Sequence, residues 1–281
     1  MPICTVCHNA CNLNEGAVGL CHARKYEDGR FKCANYGLIT SIALDPIEKK
    51  PLNLFYPGSN IISVGSYGCN LRCPFCQNHE ISYGFGQHYQ MGCRYISPGE
   101  LADIAEEYIP QGNIGVAFTY NEPLIGFEYV IDASFEVHKK GMKTVLVSNG
   151  NVSGKIAEKV IPHIDAMNID LKGFTDEYYT DFLKGDRKMV MDFIAMAAPK
   201  CHVEVTTLIV PTYNDTPEEI SQIARWIAGL NGGKGKETVA LHINRYFPRF
   251  NLTDIPAPSC DKMNLLATAA SEFIDHVFIG N

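Results

Sequence analysis

From residue 61 onward, short apolar or β-branched runs recur at 61–66, 114–119, 144–148, 166–171, 203–210 and 239–243. Between them lie stretches whose apolar positions repeat with helical spacing, at 98–108, 124–140, 153–160, 176–182 with 189–198, and 217–230. Gly141 before the third run and Thr216-Pro217 before the fifth helix are the stop and start signals such elements use. A chain that repeats strand, helix, strand builds a parallel sheet. The pattern therefore predicts an α/β fold of six strands, either an open doubly wound sheet or part of a (β/α) barrel. In both, ligands gather at the carboxyl ends of the strands. Pro248, Pro256 and Pro258 predict a loop over 245–259, before a last helix at 261–274. Trp226 and the Ile220, Ile223, Ile227 stripe read as core.

Residues 1–60 have a different texture, rich in Cys, Gly and Asn, with only a short strand-like piece at 38–44. This predicts a small metal-stapled cap over 1–60 and a catalytic core domain over 61–281. The 281 residues carry a formal charge of −7, which argues against nucleic acid or an anionic membrane as the main partner. No apolar run reaches 18 residues and the amino terminus lacks a hydrophobic signal core, so the expected location is the cytoplasm. In that compartment 11 cysteines point to metal ligation rather than a disulfide framework. They fall in two groups, with Cys33, Cys93, Cys201 and Cys260 scattered and expected as small buried hydrophobes.

After the first strand comes Cys69-x3-Cys73-x2-Cys76. Three soft sulfur ligands within eight residues can wrap one face of an iron–sulfur cubane. Only three irons are then covered, so the fourth iron of a [4Fe–4S] cluster stays open to an exogenous chelating ligand. A zinc knuckle borrowing His79 is the weaker alternative.

The segments CNLRCPFCQNHEIS (69–82), FTYNE (118–122), NIDLKGF (168–174) and LHINRYFP (241–248), together with Cys4 to Arg24, resemble the radical S-adenosylmethionine superfamily. Within it they are most similar to the AmmeMemoRadiSam-system branch, related to pyruvate formate-lyase activating enzymes. The resemblance implies a partial (β/α)6 TIM-like barrel, a [4Fe–4S] cluster on Cys69, Cys73 and Cys76, and S-adenosylmethionine on the open iron. It implies Phe75 beside the adenine, Asn121 and above all Glu122 at the methionyl ammonium, and Ser148, Asn149, Asp170 and Lys172 around the carboxylate and ribose. Val147 stands where relatives place an acidic cation ligand, which removes support for a monovalent cation site. Thr206 and His242, with Asn244 on the same strand face, are expected to point inward near the substrate or nucleoside. Phe75 as a core anchor, Glu122 as a helix-terminal acid, Asp170 and Lys172 as an internal ion pair, and His242 as a buried hydrogen-bonded histidine are the alternatives that the residues leave open.

Cys4, Cys7, Cys11 and Cys21 supply four thiols in 18 residues, enough for a second metal site. Zinc and a second iron–sulfur cluster both suit such ligands, and His8 is a further donor. Three functions are carried forward. The first is activation of a protein partner by hydrogen abstraction, with a flavodoxin- or ferredoxin-type one-electron reductant, as the resemblance implies. The second is radical modification of a small molecule or peptide. The third is an iron–sulfur electron carrier or zinc-binding protein without radical chemistry.

Overall fold

The computed structural model describes residues 1–83, 92–230 and 239–280. Its strands are β1 (Arg24–Glu27), β2 (Arg30–Cys33), β3 (Leu38–Ile39), β4 (Ser41–Pro46), β5 (Asn60–Gly65), β6 (Arg94–Tyr95), β7 (Asn113–Phe118), β8 (Lys143–Ser148), β9 (Ala166–Asp170), β10 (His202–Ile209), β11 (Ala240–Arg245) and β12 (Val277–Gly280). The helices are α1 (His79–Tyr83), α2 (Pro98–Glu107), α3 (Phe127–Lys139), α4 (Gly154–Val160), α5 (Arg187–Ala197), α6 (Pro217–Ala228) and α7 (Cys260–Ser271).

The six expected strands form and pair in parallel, in the order β5-β7-β8-β9-β10-β11. Two more extend the sheet. β12 adds in parallel beside β11, and β4 adds antiparallel along the whole of β5. β4 and β12 are the two sheet edges and do not pair with each other, so the barrel is partial and open at its side. The segment expected as one helix over 124–140 starts as a 3₁₀ turn, Pro123–Gly126, before α3, and that expected over 176–182 is a π-helical turn, Tyr178–Leu183. Ser97, Asp186, Thr216 and Ser259 each accept a backbone N–H at the start of a helix, which fixes where α2, α5, α6 and α7 begin.

Strand alternation sorts the side chains. Ile62, Val64, Val116, Phe118, Leu146 and Met167 belong to the large core shared with the helices. Their neighbours Ile61, Ala117, Val145 and Ala166 form a smaller interior cluster with Ile47 and Leu52. Each such burial contributes about 1.5–3 kcal/mol for an Ile or Leu side chain.

The other end is closed by a buried polar knot. Glu204 accepts hydrogen bonds from the Leu54 and Asn53 amides at 2.9 and 3.0 Å, and from His202 and His242 Nε2 at 2.8 and 2.6 Å. Burial alone would raise its pKa, but these donors hold the carboxyl down from an ordinary 4.5 to about 2. A group depressed on folding stabilises the protein above its unfolded pKa and loses that contribution as pH falls through the interval. Glu204→Gln is therefore expected to lower stability by ~2–3 kcal/mol at neutral pH. In thermal denaturation the gap from the parent protein should narrow between about pH 4.5 and about pH 2; a gap unchanged over that window contradicts the assignment.

The amino-terminal layer is tied down at several points. Asp28 and Gly29, both left-handed, make the tight turn joining β1 to β2. From β1, buried Arg24 reaches both carboxylate oxygens of Glu128 at 2.7–2.8 Å and the Ile125 carbonyl at 3.4 Å. Of the scattered cysteines, Cys33, Cys93 and Cys201 are half-buried and Cys260 is exposed, so none sits in the core as expected. Their places follow from tertiary packing, which thiol hydrophobicity alone does not fix. Among the described residues no helix is long and apolar enough to cross a membrane.

Candidate active site

At the carboxyl ends of the strands lies a cavity of about 260 Å³. Its wall holds Cys69, Cys73 and Cys76, all on the loop after β5, together with Phe75, Asn121, Glu122, Ser148, Asn149, Asp170, Lys172 and Thr206. These residues come from five strands or the loops that follow them, and the parallel register brings them to one opening. His242 is not part of that wall. It points into the bore, as strand alternation requires, but one layer deeper, held by Glu204 at 2.6 Å and stacked on Phe278 at 5.2 Å. The residue expected near the nucleoside is thus a floor residue, and Asn244, two positions on, reaches the cavity instead.

Glu122 is 2% exposed and follows β7 by four residues. Its Oε1 accepts from the Leu124 amide at 2.9 Å and the Ser148 hydroxyl at 2.7 Å, while Oε2 accepts from the Asn149 amide at 2.8 Å. Glu122 thus caps the 3₁₀ turn and also faces the cavity. A carboxylate offers about four acceptor positions, so about one is left, on Oε2. Burial pushes its pKa up from 4.5 to about 7, against the pull of these donors.

Asn121 serves the loop more than the cavity. Its Oδ1 accepts the Ser66 amide at 2.9 Å, and its Nδ2 donates to the Tyr67 and Gly68 carbonyls at 3.1 and 3.2 Å. Asn149 Nδ2 donates to Asn70 Oδ1 at 2.9 Å and lies 3.7 Å from Cys69 Sγ. Asn70 in turn donates to the Asn151 carbonyl at 2.7 Å. Asn70 was not singled out from sequence, although it lies between two of the cysteines.

On the opposite wall, Lys172 Nζ meets Asp170 Oδ2 at 2.8 Å, and the Lys172 amide donates to Tyr179 Oη at 2.9 Å. Burial would lower the Lys172 pKa, but the Asp170 carboxylate outweighs it and the ammonium stays charged. Thr206 donates to Asn168 Oδ1 at 2.9 Å. Phe75 is buried between the Phe182 and Tyr246 rings, at 6.0 and 6.5 Å. Tyr83 and Tyr120 also line the cavity; neither was singled out from sequence, Tyr83 arriving at the end of α1 and Tyr120 through a left-handed turn.

The Radical SAM superfamily profile matches residues 63–227, more than half of the chain. The chain belongs to the Radical SAM superfamily. It is 35% identical over 280 residues to an uncharacterized protein of Methanocaldococcus jannaschii, covering 99% of this chain and 80% of that one. It is 25% identical over 218 residues to the pyruvate formate-lyase-activating enzyme of Clostridium pasteurianum, covering 74% and 89% of the two chains. In fold it is similar to a domain of the pyruvate-formate lyase-activating enzyme of Bacteroides vulgatus, with a TM-score of 0.51, 17% identity and coverage of 59% and 99%. The partial-barrel α/β expectation holds.

As a radical SAM enzyme the protein uses a [4Fe–4S] cluster and S-adenosylmethionine. The cavity has the donor set for both. Three thiols from one loop face it, and burial pushes the Cys69 thiol well up and the Cys73 thiol to about 11, so ionising them calls for a metal's positive charge. Among the described residues no three His, Cys, Asp or Glu side chains converge at single-ion spacing. Three sulfurs that cap different irons of one cube have no need to.

Proposed function

We propose that this radical SAM enzyme cleaves S-adenosylmethionine reductively to generate a 5′-deoxyadenosyl radical, and that it activates a protein partner by hydrogen abstraction. The observation that carries the reading is the cavity in which three loop thiols face a buried carboxylate, Glu122, and a charged lysine, Lys172. In it Cys69, Cys73 and Cys76 would hold three irons and leave the fourth for the amine and carboxylate of the methionyl group. Held there, a reduced cluster would supply the one-electron chemistry that splits the sulfonium–5′-carbon bond into methionine and the 5′-deoxyadenosyl radical.

The protein's own residues orient and shield. Glu122 offers its remaining Oε2 acceptor to an N–H of the methionyl amine, held in place by Ser148 and the Asn149 amide. Lys172, oriented by Asp170, stands ready for the carboxylate. Phe75 gives an apolar wall for the adenine. The open side of the barrel admits a macromolecular segment, which an eight-stranded closed barrel would exclude. Similarity to an activating enzyme whose name specifies a protein substrate supports the partner reading.

A one-electron reductant of the flavodoxin or ferredoxin type would supply the electron. Anaerobic reconstitution, reduction with dithionite and addition of S-adenosylmethionine should yield 5′-deoxyadenosine and methionine. With a candidate partner deuterated at glycine, deuterium should appear in the 5′-deoxyadenosine. Deuterium arriving only from a labelled small molecule or side-chain-modified peptide would replace the activation reading, and absence of cleavage altogether would leave an electron carrier.

Glu122→Ala should leave iron content intact and raise the S-adenosylmethionine Kd by ~10–100-fold, the range for a hydrogen bond to a charged group. Because the carboxylate accepts the amine N–H far better than the acid does, parent-protein affinity should also fall as pH drops below about 7. Equilibrium binding at several pH values checks both; loss of iron in the variant would move Glu122 to a structural role.

A further inference from the structure

The first 23 residues contain no helix or strand, and they are held by isolated bridges at Ile3 with Asn12, Cys7 with Val152 and Val18 with Lys25. Met1, Ile3, Val18 and Leu20 are exposed, and the buried apolar residues besides cysteine are Val6, Leu13 and Ala23. Ordering each backbone residue costs about 1–2 kcal/mol, which so small a core does not offset. The buried side chains that remain are sulfurs, with Cys4 5% and Cys21 4% exposed.

The backbone turns these cysteines towards one another. The Cys4 amide donates to the Cys11 carbonyl at 2.9 Å, closing the loop that carries Cys7, and Gly19 lies against Cys11, its own Cα direction 3.6 Å from Cys11 Sγ for an added Cβ. Amides point at the sulfurs: that of Asn9 at Cys7, and those of Ala23 and Arg24 at Cys21. The same arrangement, an amide two residues on, serves Cys69 in the cluster loop through Leu71. Asn9 Nδ2 adds a contact to Cys7 Sγ at 3.7 Å. Neighbouring Cys33 also receives an amide two residues on, that of Asn35, but its thiol is already engaged, donating to Asn35 Oδ1 at 3.0 Å. His8 turns away, donating Nε2 to the Lys184 carbonyl at 2.7 Å.

This layer lies directly on the loop of the active site. Asn9 donates to the Asn70 carbonyl at 2.9 Å, Arg72 reaches the Leu20 carbonyl, and the Cys21 carbonyl sits so close to Gly68 that an added Cβ would stand 2.3 Å from it.

We propose that Cys4, Cys7, Cys11 and Cys21 ligate a thiophilic metal centre, separate from the active-site cluster, which holds the amino-terminal layer closed over the Cys69–Cys76 loop. The sulfurs stand wider than the ligands of a single ion, and their convergence is what the metal would add. A zinc ion and a second iron–sulfur cluster share this chemistry. The inference does not depend on the proposed substrate.

The test is metal content in the full chain, purified anaerobically. With Cys69, Cys73 and Cys76 all changed to Ala, about one zinc or about four irons per chain should remain, the iron with a sulfur-to-iron charge-transfer band. Adding Cys7→Ala and Cys21→Ala should remove that remainder. In the otherwise unaltered protein, Cys7→Ala with Cys21→Ala should subtract the same zinc or iron while the active-site cluster's absorbance persists, which covers the event that the triple variant does not fold. Metal content equal in the presence and absence of the four amino-terminal cysteines overturns the proposal.

Discussion

Cys73→Ala is expected to abolish formation of 5′-deoxyadenosine, with a loss of at least ~100-fold, because even a supporting neighbour of a metal ligand is typically worth 10–100-fold. Cys73 is 6% exposed at the cavity wall, and its charge feels Lys172 and Cys76. An alanine there leaves one iron without its thiolate in a site too enclosed for water to substitute well. The measurement is iron and sulfide content alongside product formation after identical anaerobic reconstitution. Full iron content with undiminished cleavage would remove Cys73 from the ligand set and with it the proposed enzymology. Preserved cleavage at reduced iron would instead mean that a different side chain had taken over.

A substitution outside the thiols should do comparable harm to folding. Gly68→Ala is expected to destabilise the protein by about 2–4 kcal/mol, through backbone strain and overpacking. Gly68 has φ +90°, in the region side chains rarely adopt, and its Cβ would lie 2.3 Å from the Cys21 carbonyl and 3.2 Å from Ile125 Cδ1. Its amide donates to the Ile81 carbonyl at 2.9 Å and its own carbonyl receives the Glu122 amide at 3.2 Å, so the residue cannot shift without moving both. Thermal unfolding should drop by roughly 5–15 °C for a chain of this size, and iron retention should fall with it. A Tm within about 2 °C of the parent would show that the amino-terminal layer yields easily.

The alternation of apolar runs and helical spacing was enough to read the six parallel strands, because a buried parallel strand needs continuous apolar residues and the crossover helix needs a 3.6-residue stripe. Of the two added edge strands, β4 was legible only as part of the strand-like piece at 38–44, and β12 was not read as a strand. β12 is only half-buried apolar tail, and β4 mixes exposed and half-buried positions, since an edge strand is covered on fewer sides. The C-x3-C-x2-C loop was legible because metal ligation requires particular atoms at short spacing along one loop. Asn70 was not, because asparagines anchor loops everywhere and only its contacts with Asn149 and Asn151 distinguish it.

His242 and Glu122 divide the two kinds of information. Period two along β11 puts His242 on the face of Asn244, and register with β10 aligns it with the cavity-wall residue Thr206, yet its imidazole bonds to Glu204, 38 residues away, and leaves the wall. For Glu122, sequence placed a carboxylate at a strand end. Only the fold enclosed it, gave three of its acceptor positions to Leu124, Ser148 and Asn149, and raised its pKa to about 7. Residue type and local spacing thus determined the strands, the thiol triplet and the candidate acid. Burial, depth and hydrogen-bond supply were decided by tertiary structure, because they depend on which distant segments arrive beside a group, and a one-dimensional pattern carries no such distance.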